Sequence, residues 1–396
     1  MNDPSTFGKR LATALEQFPE PTVREWERTG HIPRTAVAKL ADQGIFTDRW
    51  APGQAQGADL VVQIATATAQ VSSGLALATM GHCEVFCGAL HWLAETDRQR
   101  ELRDSALAGT VTGCLASTEP TGGSDLAALR TTVSREGDGW RLRGQKRYIS
   151  NLGGATHALV LAGQPDRADP RNLSLFVVGL DTPGATIDGF FPAAGLDACD
   201  VGQLTLDAVV PDDALLGSSG MGLAYLSRLL QFERLSICAQ LISGARTTIG
   251  LAVAFARRRE MGPGRLMDLQ TIRHRLARCQ SQLWMLEGAL RDLVARTQDG
   301  VGVAHQTAAL KLEVSQAVGT ITDECLQIFG ARGYTRHYPL ERIWRDVRLA
   351  RIGGGSEEVM TELLAARLDR PDPDRERWLD ALEVGDVPLP DPDLGG

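Results

Sequence analysis

Apolar residues recur every three or four positions over Thr35–Ala41 and again from Leu60 to Leu77, interrupted by Gly44 and by Pro52-Gly53. This spacing predicts an α-helical N-terminal domain over residues 1–112. The period changes between residues 113 and 218. Trp140–Gly144, Ala158–Ala162, Leu173–Val178 and Gln203–Val210 are short strand-like runs punctuated by Gly, Pro and Asp. They predict a small central β domain. From Gly220 to Arg259 there is no proline, and the helical spacing returns. Residues 266–298 and 303–329 behave likewise, and a shorter helix is expected from Ser356 to Leu368. Four such segments predict an antiparallel four-helix bundle over 219–369. Residues 370–396 are acidic, with Pro371, Pro373, Pro388, Pro390 and Pro392, and predict a poorly ordered tail. No internal repeat is visible.

Composition narrows the function class. A chain of 396 residues, 43% hydrophobic and 23% charged, is that of an ordinary soluble protein with two or three domains. The net charge of −8 and the lack of a basic stripe argue against nucleic acid as a partner. No apolar run reads as a membrane span, and the N-terminus lacks the pattern of a signal peptide. Seven scattered cysteines argue against a disulfide framework and suit a reducing cytoplasm. His82, Cys83, Cys87 and His91 fall within ten residues. A buried helix face explains them better than a metal site, so no metal is expected.

The chemistry begins where the apolar run Val111–Leu115 ends. Ser117, Thr118, Glu119, Pro120 and Gly122-Gly123-Ser124-Asp125 follow, the pattern of a strand breaking into a tight turn. Such turns present N–H groups and hydroxyls to an anion or a polar ring edge. A second block runs Gly144-Gln145-Lys146-Arg147-Tyr148-Ile149-Ser150-Asn151. Together the blocks resemble the flavin-contacting segments of the acyl-CoA dehydrogenase family. Further matches are Gln327–Tyr334, Tyr338–Asp346 and Ile352–Met360. The resemblance covers nearly the whole chain, apart from a shortened stretch around 51–59 and the tail. It implies an α+β multidomain fold: a helical N-domain, a β-barrel-like central domain and a C-terminal four-helix bundle.

The resemblance also implies a reaction: FAD-dependent α,β-dehydrogenation of an acyl thioester, carried on CoA or on an acyl carrier protein. A carboxylate removes the α proton while flavin N5 accepts the β hydride. Most members place that carboxylate where this chain has Gly354, which cannot abstract a proton. The isovaleryl and long-chain branches place it in an E-R-L segment on the first long bundle helix. Here that segment is Glu233-Arg234-Leu235. Glu233 is therefore the expected base. The alternative is a solvated surface charge pair, which the flanking Leu229, Leu230, Phe232 and Ile237 disfavour. Gly354 is expected to keep a catalytic part through its backbone N–H, a donor to the thioester carbonyl.

Carried over position by position, the resemblance assigns Leu115, Ser117, Thr118, Ser124, Tyr148, Ile149 and Ser150 to FAD. Tyr148 stands where an indole is usual. It also assigns Arg259, Gln270, Gln327 and Gly330 to the FAD of a neighbouring subunit, and Ser356 and Glu358 to the cofactor. Ser124, Arg234 and Gly354 are assigned to the substrate. Gly262-Pro263 alters the loop after Arg259. Expected partners are a homodimer or homotetramer and an acceptor such as an electron-transfer flavoprotein. A flavin monooxygenase or oxidase on the same fold is the alternative.

Overall fold

The structure is a computed structural model and describes residues 4–52, 57–165, 169, 171–299, 302–368 and 376–377. The expected tail therefore lies almost wholly outside the described residues, as do residues 53–56 of the shortened stretch.

Helices come first: α1 (Pro4–Glu16), α2 (Glu20–Thr29), α3 (Arg34–Ala41), α4 (Ile45–Arg49), α5 (Ala58–Val71) and α6 (Ser73–Met80). A π-helical turn, Gly81–Cys87, leads into α7 (Gly88–Leu93) and then α8 (Asp97–Leu107). The helical spacing over 60–77 runs through two helices. The structure breaks it at Ser72, whose backbone is extended and whose Oγ accepts the Leu75 N–H, capping α6. Periodicity carries straight through such a break, because both helices bury the same kind of face.

The strands are β1 (Gly113–Ala116), β2 (Thr132–Glu136), β3 (Gly139–Ser150), β4 (His157–Gly163), β5 (Leu173–Gly179), β6 (Ala185–Phe190), β7 (Val201–Pro211) and β8 (Leu215–Leu216). They form one mixed sheet in the order β6-β7-β3-β2-β4-β5-β8, with β1 parallel on β4. β4 explains its own unbroken apolar sequence. Leu159 and Leu161 face the N-terminal helices, while Ala158, Val160 and Ala162 face a second core with Phe176, Leu204 and Leu206. A strand buried on both faces shows no alternation.

The bundle consists of α9 (Gly222–Arg258), α10 (Gln270–Gln298), α11 (Ala304–Phe329), α12 (Leu340–Val347) and α13 (Glu357–Leu368). α12 was not foreseen. A two-residue hairpin, β9 (Glu260–Met261) and β10 (Gly264–Arg265), joins α9 to α10. Its turn is Gly262-Pro263, with Gly262 at φ 59°. A positive φ followed by proline's fixed φ suits a hairpin turn. The departure in this loop thus keeps a defined connection.

One helix bears on the expectation of no membrane span. α9 is long and apolar enough, by length and composition, to cross a membrane, and half of that stretch is buried. Its apolar residues pack against α5, α10 and α11 in the bundle core. They include Phe232, Leu235, Ile237, Ile242 and Ile249.

Candidate active site

Glu233 and Gly354 are 121 positions apart in sequence and adjacent in space. A methyl group built on Gly354 Cα would lie 3.9 Å from Glu233 Oε1. Glu233 lies on α9 between buried Phe232 and Arg234 and is itself half-buried. Its Oε2 is buried without a hydrogen-bond partner. Burial pushes its carboxyl up to about 7, even though the charges of Arg234 and Lys311 pull the other way. A buried carboxyl without a partner is costly. Such a group in a desolvated cleft is a marker of a chemically active site.

The loop facing Glu233 is held by two cations. Arg234 Nε donates to the Gly354 carbonyl at 2.9 Å. Lys311, fully buried on α11, donates to the Gly355 carbonyl. Burial lowers the Lys311 ammonium to about 8. Gly354 has φ 66° and Gly355 φ 94°, a region that glycine enters without a Cβ penalty. Both carbonyls are thereby turned toward the bundle. Among the described residues the Gly354 N–H has no hydrogen-bond partner, which suits a donor to a thioester oxygen. Sequence reasoning missed Lys311. Its only signal is a lone lysine in the apolar face of 303–329. Arg234 was assigned to substrate; in the structure its Nε is committed to the loop.

The two segments assigned to flavin also meet. The Arg147 N–H donates to the Thr118 carbonyl at 2.9 Å, linking the turn after β1 to β3. Leu115, Ser117, Thr118 and Ser150 are half-buried, Ile149 is buried and Ser124 is exposed. Tyr148 has φ 57° and is 56% exposed, beside Phe191 at 5.1 Å between ring centroids. Its outward turn coincides with a register shift between Lys146 and Ile149 in the β3–β7 ladder. A bulge of this kind re-aims side chains.

A cavity of about 510 Å³ opens between the ends of α9 and α11. Arg258, Arg259 and Arg332 line it, with Phe255, Phe329 and Tyr338. The Phe255 and Phe329 rings stack at 4.2 Å. Three guanidinium groups beside aromatic faces suit a diphosphate and a planar ring. Gln327 and Gly330 are exposed at the same end of α11, and Gln270 is exposed at the start of α10. These residues fit FAD. Ser356 serves locally as the N-cap of α13, its Oγ accepting the Val359 N–H at 3.4 Å. The Glu358 carboxyl is lowered by its hydrogen bond to Ser356.

The His82–His91 cluster is spent on packing. His82 Nε2 lies 3.1 Å from the Ala106 carbonyl, and its Nδ1 accepts the Gly113 N–H at 3.2 Å. Cys83 and Cys87 are buried, and burial holds both as thiols. Among the described residues no three His, Cys, Asp or Glu side chains form a group able to hold a metal ion.

Comparison with known proteins adds to this geometry. Residues 114–209 match the model of the acyl-CoA dehydrogenase middle domain, and 220–368 that of the C-terminal domain. The chain is 32% identical over 354 residues to acyl-(acyl-carrier-protein) dehydrogenase MbtN of Mycobacterium sp. strain MCS, covering 88% of this chain and 90% of that protein. It is 29% identical over 358 residues to the human mitochondrial short-chain specific acyl-CoA dehydrogenase, covering 88% and 86%. Among solved structures, an acyl-CoA dehydrogenase from Geobacillus kaustophilus superposes with a TM-score of 0.85 at 28% identity, covering 93% of this chain and 99% of that one.

Proposed function

The chain belongs to the acyl-CoA dehydrogenase family, and from that premise we propose that it oxidises acyl groups carried on an acyl carrier protein, with Glu233 as the base. As a member it is an FAD-dependent oxidoreductase acting on the CH–CH bond of an acyl thioester. The observation that carries the assignment of the base is the Glu233 carboxyl facing Gly354, with its Oε2 buried and without a partner. The carrier-protein reading is supported by relatives at 30–32% identity that are named acyl-(acyl-carrier-protein) dehydrogenases.

The residues divide the work as follows. The Gly354 N–H takes the thioester carbonyl and stabilises the charge that develops there. Glu233 receives the α proton; its raised affinity for protons, set by burial, matches it to a weakly acidic C–H. Lys311 and Arg234 hold the loop so that its N–H groups, rather than its carbonyls, face the substrate. Bound FAD supplies the hydride acceptor for the β hydrogen. In this reading Thr118, Ser150 and Tyr148 would contact it, and Arg259 would contact the diphosphate of a partner subunit's FAD. Assembly as a homodimer or homotetramer, a cytoplasmic setting and an electron-transfer flavoprotein as acceptor belong to the same proposal. A monooxygenase gains no support from a site built around a desolvated carboxyl.

The test is anaerobic titration of the purified flavoprotein with matched acyl groups on CoA and on a carrier protein. Bleaching of the flavin absorbance at lower concentration by the carrier-protein thioesters is expected. Preference for CoA thioesters refutes the carrier assignment, and no bleaching by any thioester refutes the dehydrogenase reading.

A further inference from the structure

Directly after Thr118 stands Glu119, whose side chain is only 3% exposed. Its carboxylate accepts the Arg130 N–H at 2.7 Å, the Thr131 N–H at 2.9 Å, the Thr131 hydroxyl at 2.5 Å and the Lys146 ammonium at 2.8 Å. Lys146 is fully buried and lies 3.4 Å from the Ser117 carbonyl as well. One ion pair therefore joins the turn carrying Ser117 and Thr118, the start of β2, and the strand carrying Tyr148, Ile149 and Ser150. The space around it is tight. A Cβ on Gly144 would meet Thr131 Oγ1 at 2.4 Å, and Gly144 has φ 156°.

Burying two full charges is an expensive way to stabilise a sheet, since an apolar pair of similar shape serves as well. What an ion pair adds is a fixed register, because each charge accepts few arrangements. The register fixed here is that of the two segments assigned to flavin. It sits immediately before the bulge that turns Tyr148 outward.

We propose that Glu119 and Lys146 form a positioning pair for the cofactor, setting the spacing between Thr118 and the Tyr148–Ser150 segment so that both engage the FAD ring together. This rests on the assignment of those two segments to FAD. Neither residue is placed against substrate, so the pair acts through its neighbours.

The experiment compares FAD release from wild-type holoprotein with release from Glu119→Gln, Lys146→Met and the double variant, followed by flavin fluorescence on dilution. Visible spectra and melting temperatures are measured alongside. Either single variant leaves one charge buried alone and risks poor folding, so the double variant, neutral on both sides, is the deciding one. It is expected to keep a melting temperature close to wild type while releasing FAD at least tenfold faster, with a shifted flavin absorbance band. A double variant that retains FAD and its spectrum at wild-type level overturns the proposal. So does one that loses stability while its folded fraction holds FAD normally, because the pair is then only structural. Wild-type protein that never retains FAD is a different failure, that of the family-based cofactor assignment itself.

Discussion

At the scale of single residues, the site turns on one carboxyl that pays for its place. Glu233 titrates near 7 in the folded protein against an ordinary value of 4.5. On the proposed role as base, Glu233 must be ionised to take a proton. Flavin reduction by substrate should therefore rise through pH 7 and level off above it, falling about tenfold per unit below, as stopped-flow rates would show. Glu233→Gln should retain FAD but slow flavin reduction by ~10²–10⁴-fold or more, with that pH dependence gone. The same shift has a stability consequence. The folded state binds this proton more tightly than the unfolded chain, so the carboxyl's contribution is fully present below pH 4.5 and is lost as pH rises through 7. The loss amounts to roughly 3 kcal/mol. Glu233→Gln should accordingly raise the melting temperature more at pH 8.5 than at pH 5. An equal gain at both values would mean that the carboxyl is not desolvated.

Gly354 sharpens the argument. Returning the usual glutamate to this position looks simple in sequence. In the structure a Cβ there meets Ile237 Cδ1 at 2.7 Å, on a backbone at φ 66°. A left-handed conformation costs a non-glycine residue about 1–3 kcal/mol. Gly354→Glu in the Glu233→Gln background should thus recover little flavin reduction. Adding Ile237→Ala, which clears the Cβ, should recover more. Recovery without the change at Ile237 would show that the loop is more pliant than its two cation contacts imply.

At the scale of elements, the π-helical turn Gly81–Cys87 is the clearest case of structure overruling pattern. It occupies a stretch whose cysteines and histidines suggested a single α-helical face. The turn brings Phe86 beneath the start of β1, where a Cβ on Gly113 would fall 1.9 Å from the ring. His82 accepts the N–H of that same glycine. Gly113→Ala should destabilise by about 1–3 kcal/mol through overpacking, and thermal melting measures it. FAD retention should fall with it, because β1 leads directly into Thr118. A neutral Gly113→Ala would show that Phe86 can move aside. Strand and bundle-helix types were otherwise legible in the sequence. β7 alternates because one face is solvated, and α11 is periodic because it packs against α9 and α10. α12 was not legible, since half of its eight residues are charged and it buries only Leu340, Asp346 and Val347.

For the whole molecule, that small helix is what joins the parts. Arg345 makes two 3.0 Å contacts to Asp197, and the Asp346 Oδ1 accepts the Leu196 N–H. Arg342 pairs with Glu27 on α2. The loop leading to Gly354 therefore follows a helix tied to both the sheet region and the N-terminal helices. The cavity lined by Arg258, Arg259 and Arg332 lies at the ends of α9 and α11, and Leu340 at the start of this same small helix also lines it. If a partner's FAD diphosphate enters it, Arg259→Ala should raise FAD loss on dilution at least tenfold and weaken the oligomer, measured by sedimentation. A monomer with full FAD content would remove Arg259 from that role.

What the sequence determined by itself was local and periodic: helix or strand over the long segments, the tight turn after Leu115, and the absence of a carboxylate at position 354 with one at 233. These follow from which residues suit a given backbone and face. Only the tertiary structure decided that Glu233 and Gly354 meet, that Lys311 and Arg234 turn the loop carbonyls away, and that Glu119 and Lys146 share one buried contact. Each of these joins residues far apart in the chain. Their energies depend on the water excluded around them, and burial is a property of the packed whole rather than of any segment.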